Sequence, residues 1–232
     1  MYNSLLILSC IIHYLPVDDI FDLVLDFSLL SNPNGPWQYG IYTGNQTSPG
    51  TFTPFRSTFN NTNTNLFSPG NVNTFSKFWG INENTNPADD GFIYKSISTQ
   101  QECGVPPGGV SLEADWGTPA AQFTIPRDAI YNAVITFGND GDDFTFTPFY
   151  CCGNYPPPGR LGDARVALTL VGNGTILYVP KEVRTNTYEV SIGPIGNPLL
   201  TTGTTIIAYV PQRGGCGNVN TNFRVTAVPI PV

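Results

Sequence analysis

AAQFTIPRDAIYNAVITFG, residues 120–138, is the stretch that decides the fold. It holds two apolar-rich runs, AAQFTIP (120–126) and AIYNAVITFG (129–138), parted by the charged pair Arg127-Asp128. In Gln122-Phe123-Thr124-Ile125 polar and apolar residues alternate, the period of a strand with one face on a core and the other in solvent. Arg165-Val166-Ala167-Leu168-Thr169-Leu170 reads the same way. Working outward, similar runs recur at 21–30 (FDLVLDFSLL), 91–98, 109–116, 143–150, 164–171, 175–180, 186–193, 204–211 and 222–230. NG, DG, PPG and GN punctuate them. About ten short strands at this spacing, with no sustained 3.6-residue period, predict an all-β fold, a β-sandwich or jelly roll of antiparallel strands.

Composition agrees with a turn-rich chain: 24 Gly and 21 Pro stand among 232 residues. Charged residues make up 12% of the chain, about half the roughly 25% of an ordinary soluble domain. The polar surface must therefore come from Asn, Thr, Ser and Gln, a balance that suits an extracellular location. Net charge is −7, and the cations are scattered singly, so there is no basic stripe to neutralise a phosphate backbone. Nucleic acid and anionic membrane surfaces are excluded as partners on that ground. The single histidine, His13, lies in an apolar run, which argues against a Ser-His-Asp triad or a His-rich metal site.

That run, LLILSCIIHYLPV (5–17), is shorter than the about 20 residues a bilayer span takes, so no integral membrane span is expected. Residues 1–20 read as an apolar leader, an anchor or an N-terminal assembly strand, although no Lys or Arg precedes the run as a signal peptide would have it. Residues 21–232 read as one β-sandwich domain, long enough to bury its own core. Within it, 45–90 is an Asn/Thr/Phe-rich, loop-rich insertion with one or two short strands. Its aromatics, among them Phe52, Phe55, Phe59, Phe67, Phe75, Phe78 and Trp79, are too many for a disordered linker and predict packing onto the sandwich.

Five cysteines are present. With Cys10 set aside in the leader, Cys103, Cys151, Cys152 and Cys216 remain, and four cysteines allow three pairings. A ring between neighbours is strained, so Cys151 and Cys152 are expected to bond to Cys103 and Cys216, in either order. Asn-x-Thr sequons at Asn45, Asn60 and Asn173 mark candidate glycosylation sites.

Asp26-Phe27-Ser28 followed by Asn32-Pro33-Asn34-Gly35-Pro36-Trp37-Gln38-Tyr39-Gly40 resembles the DFS…NPNGxWxYG opening of a domain family of secreted bacterial proteins, many of them with PEP-CTERM sorting tails. The likeness continues through residues 121–138 and through the paired strands around Asn173-Gly174. It implies a jelly-roll sandwich related to carbohydrate-binding modules, and export. The chain departs from the family at Ser111–Gly117, where a LHPG-like turn is expected.

Three groups of residues carry possible chemistry. Glu113 and Asp115 lie two apart on an expected strand, hence on one side of it, with Trp116 next; paired carboxylates beside an aromatic suit a glycoside hydrolase, and a solvated strand face suits them too. Asn139-Asp140-Gly141-Asp142-Asp143 offers oxygen ligands for a structural Ca²⁺ at Asp140, Asp142 and Asp143, or is a plain Asp-Gly turn. Calcium is the one cofactor the sequence suggests. Trp37, Tyr39, Trp79 and Trp116 flank turns and are expected to be partly exposed, placed to stack on sugar rings. The expected function is a non-catalytic extracellular structural or adhesive glycoprotein, a repeating subunit of a surface filament or layer joined by terminal-strand exchange, its partner another copy of itself or a surface glycan. A carbohydrate-binding module is the first alternative and a glycoside hydrolase the second.

Overall fold

The computed structural model describes residues 19–43, 50–60, 77–80, 92–95, 106–113, 117–138, 164–178, 181–184, 187–193, 199–211 and 218–228. They form two antiparallel sheets packed face to face, the all-β sandwich expected. Strands are numbered in chain order. The larger sheet runs β12 (Lys181–Arg184), β13 (Thr187–Ile192), β9 (Ile130–Gly138), β15 (Asn218–Val228), β7 (Val110–Glu113), β6 (Phe92–Lys95), β5 (Lys77–Gly80) and β4 (Ser57–Asn60), and β1 (Asp19–Asp22) also pairs with β15. The smaller runs β11 (Gly174–Tyr178), β10 (Arg165–Leu170), β14 (Thr205–Tyr209), β8 (Pro119–Thr124), β2 (Trp37–Tyr42) and β3 (Phe52–Pro54). The described residues thus hold more strands than the ten or so expected. The difference comes partly from the insertion, which supplies β3, β4 and β5 rather than one or two strands, and partly from β2 and β12, which lie outside the runs read from the sequence.

The backbone of the larger sheet is the pair β9 and β15, in register from Ile130 against Val228 to Gly138 against Asn220. Alternation decides which side of each strand is buried: Tyr131, Ala133, Ile135 and Phe137 on β9, with Val219, Phe223, Val225 and Ala227 on β15, point into the core. The smaller sheet answers with Trp37, Tyr39, Phe123, Val166, Leu168, Ile206 and Ala208. At the centre, Trp37 meets Phe123 and Phe223 edge-on, each at 5.0 Å between ring centroids, the geometry that the ring quadrupoles favour.

Two expectations need correction. Residues 21–30 do not form one strand: β1 ends at Asp22, and a single helical turn, α1 (Leu23–Asp26), follows. Asp22 decides this, because its carboxylate accepts the Val24 and Leu25 N–H groups and so caps the turn. Leu23 is thereby driven into the core, while Leu25 stays 78% exposed.

The second correction concerns β10, whose alternation does not leave a solvent face: Arg165, Val166, Ala167 and Leu168 are all buried. Tyr42, Ala120, Ala167, Ile207 and Tyr209 form a second apolar cluster on the outer side of the smaller sheet, with Phe52 and Leu177 packed on it. Strands buried on both sides carry near-continuous apolar runs, which is what TIIAY in β14 displays.

Candidate functional site

The residues that open the chain's most distinctive motif are brought together at one corner, where the segment after α1 folds back onto β2. A tight turn pairs Asn34 with Trp37 in both directions, Asn34 N–H to the Trp37 carbonyl at 2.8 Å and Trp37 N–H to the Asn34 carbonyl at 3.1 Å. Gly35 sits inside it at φ +56°, where a side chain would be strained. Asn32 then clamps two stretches of backbone together: its amide nitrogen donates to the carbonyls of Tyr39 at 2.8 Å and Phe55 at 3.0 Å, and its oxygen accepts the Tyr39 N–H at 2.8 Å. Asn34 donates to the Asp26 carbonyl at 2.8 Å. Asp26 in turn accepts the Trp37 indole N–H at 3.0 Å and the Asp22 N–H at 2.9 Å.

Trp37 and Tyr39 are therefore not sugar platforms. Both are fully buried, Trp37 against Phe123 and Phe223, and Tyr39 against Phe27 at 4.8 Å. Burial pushes the Tyr39 phenol well above its usual range, the Ser28 N–H donated to its oxygen opposes this, and Asp26 adds to the rise. The turn residues around them suggested exposure; the turn's tightness is what drops them inward.

Of the other expected site residues, Glu113 ends β7, paired with Phe92 and Asn218, while Asp115 and Trp116 lie outside the described residues. Trp79 lies on β5, in register with Ile93 and Thr58. Asn60 ends β4. Asn173 stands exposed at the tip of the hairpin between β10 and β11, between Gly172 and Gly174, both at positive φ, so its side chain is accessible to an enzyme. Asn45, the cysteines Cys10, Cys103, Cys151, Cys152 and Cys216, and the acidic turn of Asp140, Asp142 and Asp143 lie outside the described residues. No described helix is long and apolar enough to cross a membrane.

One concave feature was not anticipated. β15 pairs with β7 only as far as Asn220 and with β1 only from Arg224 onward. At this step α1 crosses the sheet and leaves a groove of about 470 Å³. Its floor is Val134, Thr136 and Asn222 on the outer face, and its walls are Asp22, Val24, Leu25 and Arg224. Asp22 caps α1 through Oδ1, and Thr136, Asn222 and Arg224 are the other polar side chains along the groove. The sequence hint is slight: outward Asn132 and Thr136 on β9, and Asn220, Asn222 and Thr226 on β15.

On the smaller sheet, Arg165 is 8% exposed beside Tyr209 and donates to the Ala164 carbonyl at 3.0 Å. Tyr209 meets Tyr42 edge-on at 4.8 Å. Burial, and then Tyr42, push the Tyr209 phenol up to about 12, with Arg165 opposing. Compared with known proteins, the chain matches no family model and no curated protein.

Proposed function

We propose that this chain is a non-catalytic extracellular structural or adhesive glycoprotein, a subunit of a surface filament or layer joined by exchange of its terminal strand. The observation that carries the reading is the placement of β1. It is a four-residue strand, half-exposed, held antiparallel on β15 from Asp19 against Ala227 to Asp22 against Arg224. Ile20 on it is 53% exposed. A neighbouring copy's β1 meets identical hydrogen-bond partners on β15, so exchange costs only the reorganisation of the connecting chain. The exposed sequon at Asn173 and the low charge suit a coated surface protein, and the resemblance to exported jelly-roll domains points the same way.

Electron microscopy of negatively stained native material, with light scattering, tests this. Filaments or sheets are expected; a monodisperse 25.2 kDa particle overturns it. The groove beside α1 favours a second reading, a carbohydrate-binding module, because Thr136, Asn222 and Arg224 offer hydrogen bonds beside the exposed Leu25. Glycan-array binding abolished by Arg224→Ala would establish that alternative.

A further inference from the structure

The strands at the borders of the two sheets are not equally protected against pairing with another chain. β12 carries Lys181, Glu182 and Arg184; β1 carries Asp19 and Asp22; β3 ends in Pro54; β4 follows the exposed Arg56. Charge and proline at an edge are what keep sheets from joining. β11 has neither: Gly174-Thr175-Ile176-Leu177-Tyr178 is uncharged and has no proline. Among the described residues it is the outermost strand of the smaller sheet, paired on one side only, with β10. Alternate N–H and C=O groups of such a strand point away from its partner.

Its side chains mark the same place. Ile176 pairs with Leu168 and Tyr178 with Val166, so both lie on the core side of the sheet. Ile176 is nonetheless 44% exposed, and Val171 at the adjoining turn is 58% exposed. Among the described residues, no strand lies beyond this border.

We infer that β11 is a pairing edge for β11 of a second copy, the two strands antiparallel about a two-fold axis at Ile176. The occupant follows from charge. The chain carries −7 overall, whereas β11 is uncharged, so a copy's β11 adds no like-charge repulsion where the two strands meet. The two-fold places Ile176 against Ile176 and Thr175 against Leu177, which covers this border with aliphatic contacts and unites the two smaller sheets. A five-residue pair buries less than the roughly 1,000 Å² of a stable interface. It is weak alone and gains strength when β1 exchange links copies into an array. The inference rests on the assembly reading proposed above and supplies its second junction.

Sedimentation velocity of the full chain across a concentration series, for wild type and Ile176→Lys, tests it. Self-association weakened about ten-fold or more in Ile176→Lys, with unchanged circular dichroism, is the expected result. Equal association of the two folded proteins overturns the β11 pairing and leaves the assembly reading standing; a wild type monomeric throughout overturns both. If Ile176→Lys fails to fold, Ile176→Cys decides, since the two-fold brings the paired Cα atoms within the about 4.4–6.8 Å a disulfide spans. A covalent dimer in excess of wild type and of Leu199→Cys, exposed elsewhere, supports the pairing. Cross-linking no greater than in those controls overturns it.

Discussion

Replacing Asn32 by alanine removes three hydrogen bonds at once: two donated to the Tyr39 and Phe55 carbonyls and one accepted from the Tyr39 N–H. Each is worth about 0.5–1.5 kcal/mol net, and Tyr39 and Phe55 are buried, so water replaces the lost partners poorly. Phe55 N–H still donates to the Tyr39 carbonyl at 2.9 Å, which moderates the loss there. The expected cost is about 2–4 kcal/mol. For a chain of this length each kcal/mol shifts Tm by about 2–4 °C, giving a drop on the order of 5–15 °C. Asn32→Asp sharpens the test. At neutral pH the carboxylate still accepts from Tyr39 N–H but faces two carbonyls it cannot donate to, so it is at least as damaging as alanine. On acidification the carboxyl gains a donor and part of the loss returns. Urea unfolding followed by circular dichroism at two pH values measures both effects. An Asn32→Ala variant within about 0.5 kcal/mol of wild type, the ordinary range of neutral surface changes, would refute the view that this side chain holds the corner together.

Trp37→Phe keeps most of the buried ring but loses the indole bond to the Asp26 carboxylate, at a cost of about 1.5–3 kcal/mol, read by chemical denaturation. Gly40→Ala places a methyl group against the Thr53 carbonyl and within 2.7 Å of the Phe52 ring; parting β2 and β3 costs about 1–3 kcal/mol, and the thermal melt reports it. Asp128 accepts the Thr202 N–H at 2.7 Å and its hydroxyl at 2.8 Å, which hold its carboxyl below the usual range. A lowered folded-state pKa stabilises above the unfolded value and is lost as pH falls through the folded one. The Tm gap between wild type and Asp128→Ala therefore closes below about pH 4 and is open at pH 7. Tyr209 has the opposite sign: its raised pKa contributes fully below about pH 10 and is lost as pH climbs toward 12, seen as alkaline loosening that Tyr209→Phe lessens.

The two-sheet class was legible because β9 and β15 alternate cleanly, and a period of two is a local signal. α1 was not, since Leu23-Val24-Leu25 reads as strand and the deciding contact is one carboxylate turning back on its own N–H neighbours. β10 misled for the opposite reason: Ala167 is small and Arg165 charged, yet both are buried on the outer side by packing that lies beyond neighbouring residues. The Asn32-Pro33-Asn34-Gly35 run announced a turn, while nothing in it tells that Asn32 reaches Tyr39 and Phe55. For the candidate site, legibility was poorer still. Trp37 and Tyr39 looked surface-bound from their flanking residues, and the groove beside α1 exists only because β7 and β1 stop short of each other on β15, a register effect with no sequence signature.

The partnership of β1 with β15 also sets a timetable. Asp19–Asp22 must wait for Arg224–Ala227, almost the whole described chain later, so the larger sheet cannot be completed while the polypeptide is still emerging. Closing a loop of that length before its contacts reward it makes folding slow. Until then β15's other neighbours, β9 and β7, wait on the same strand.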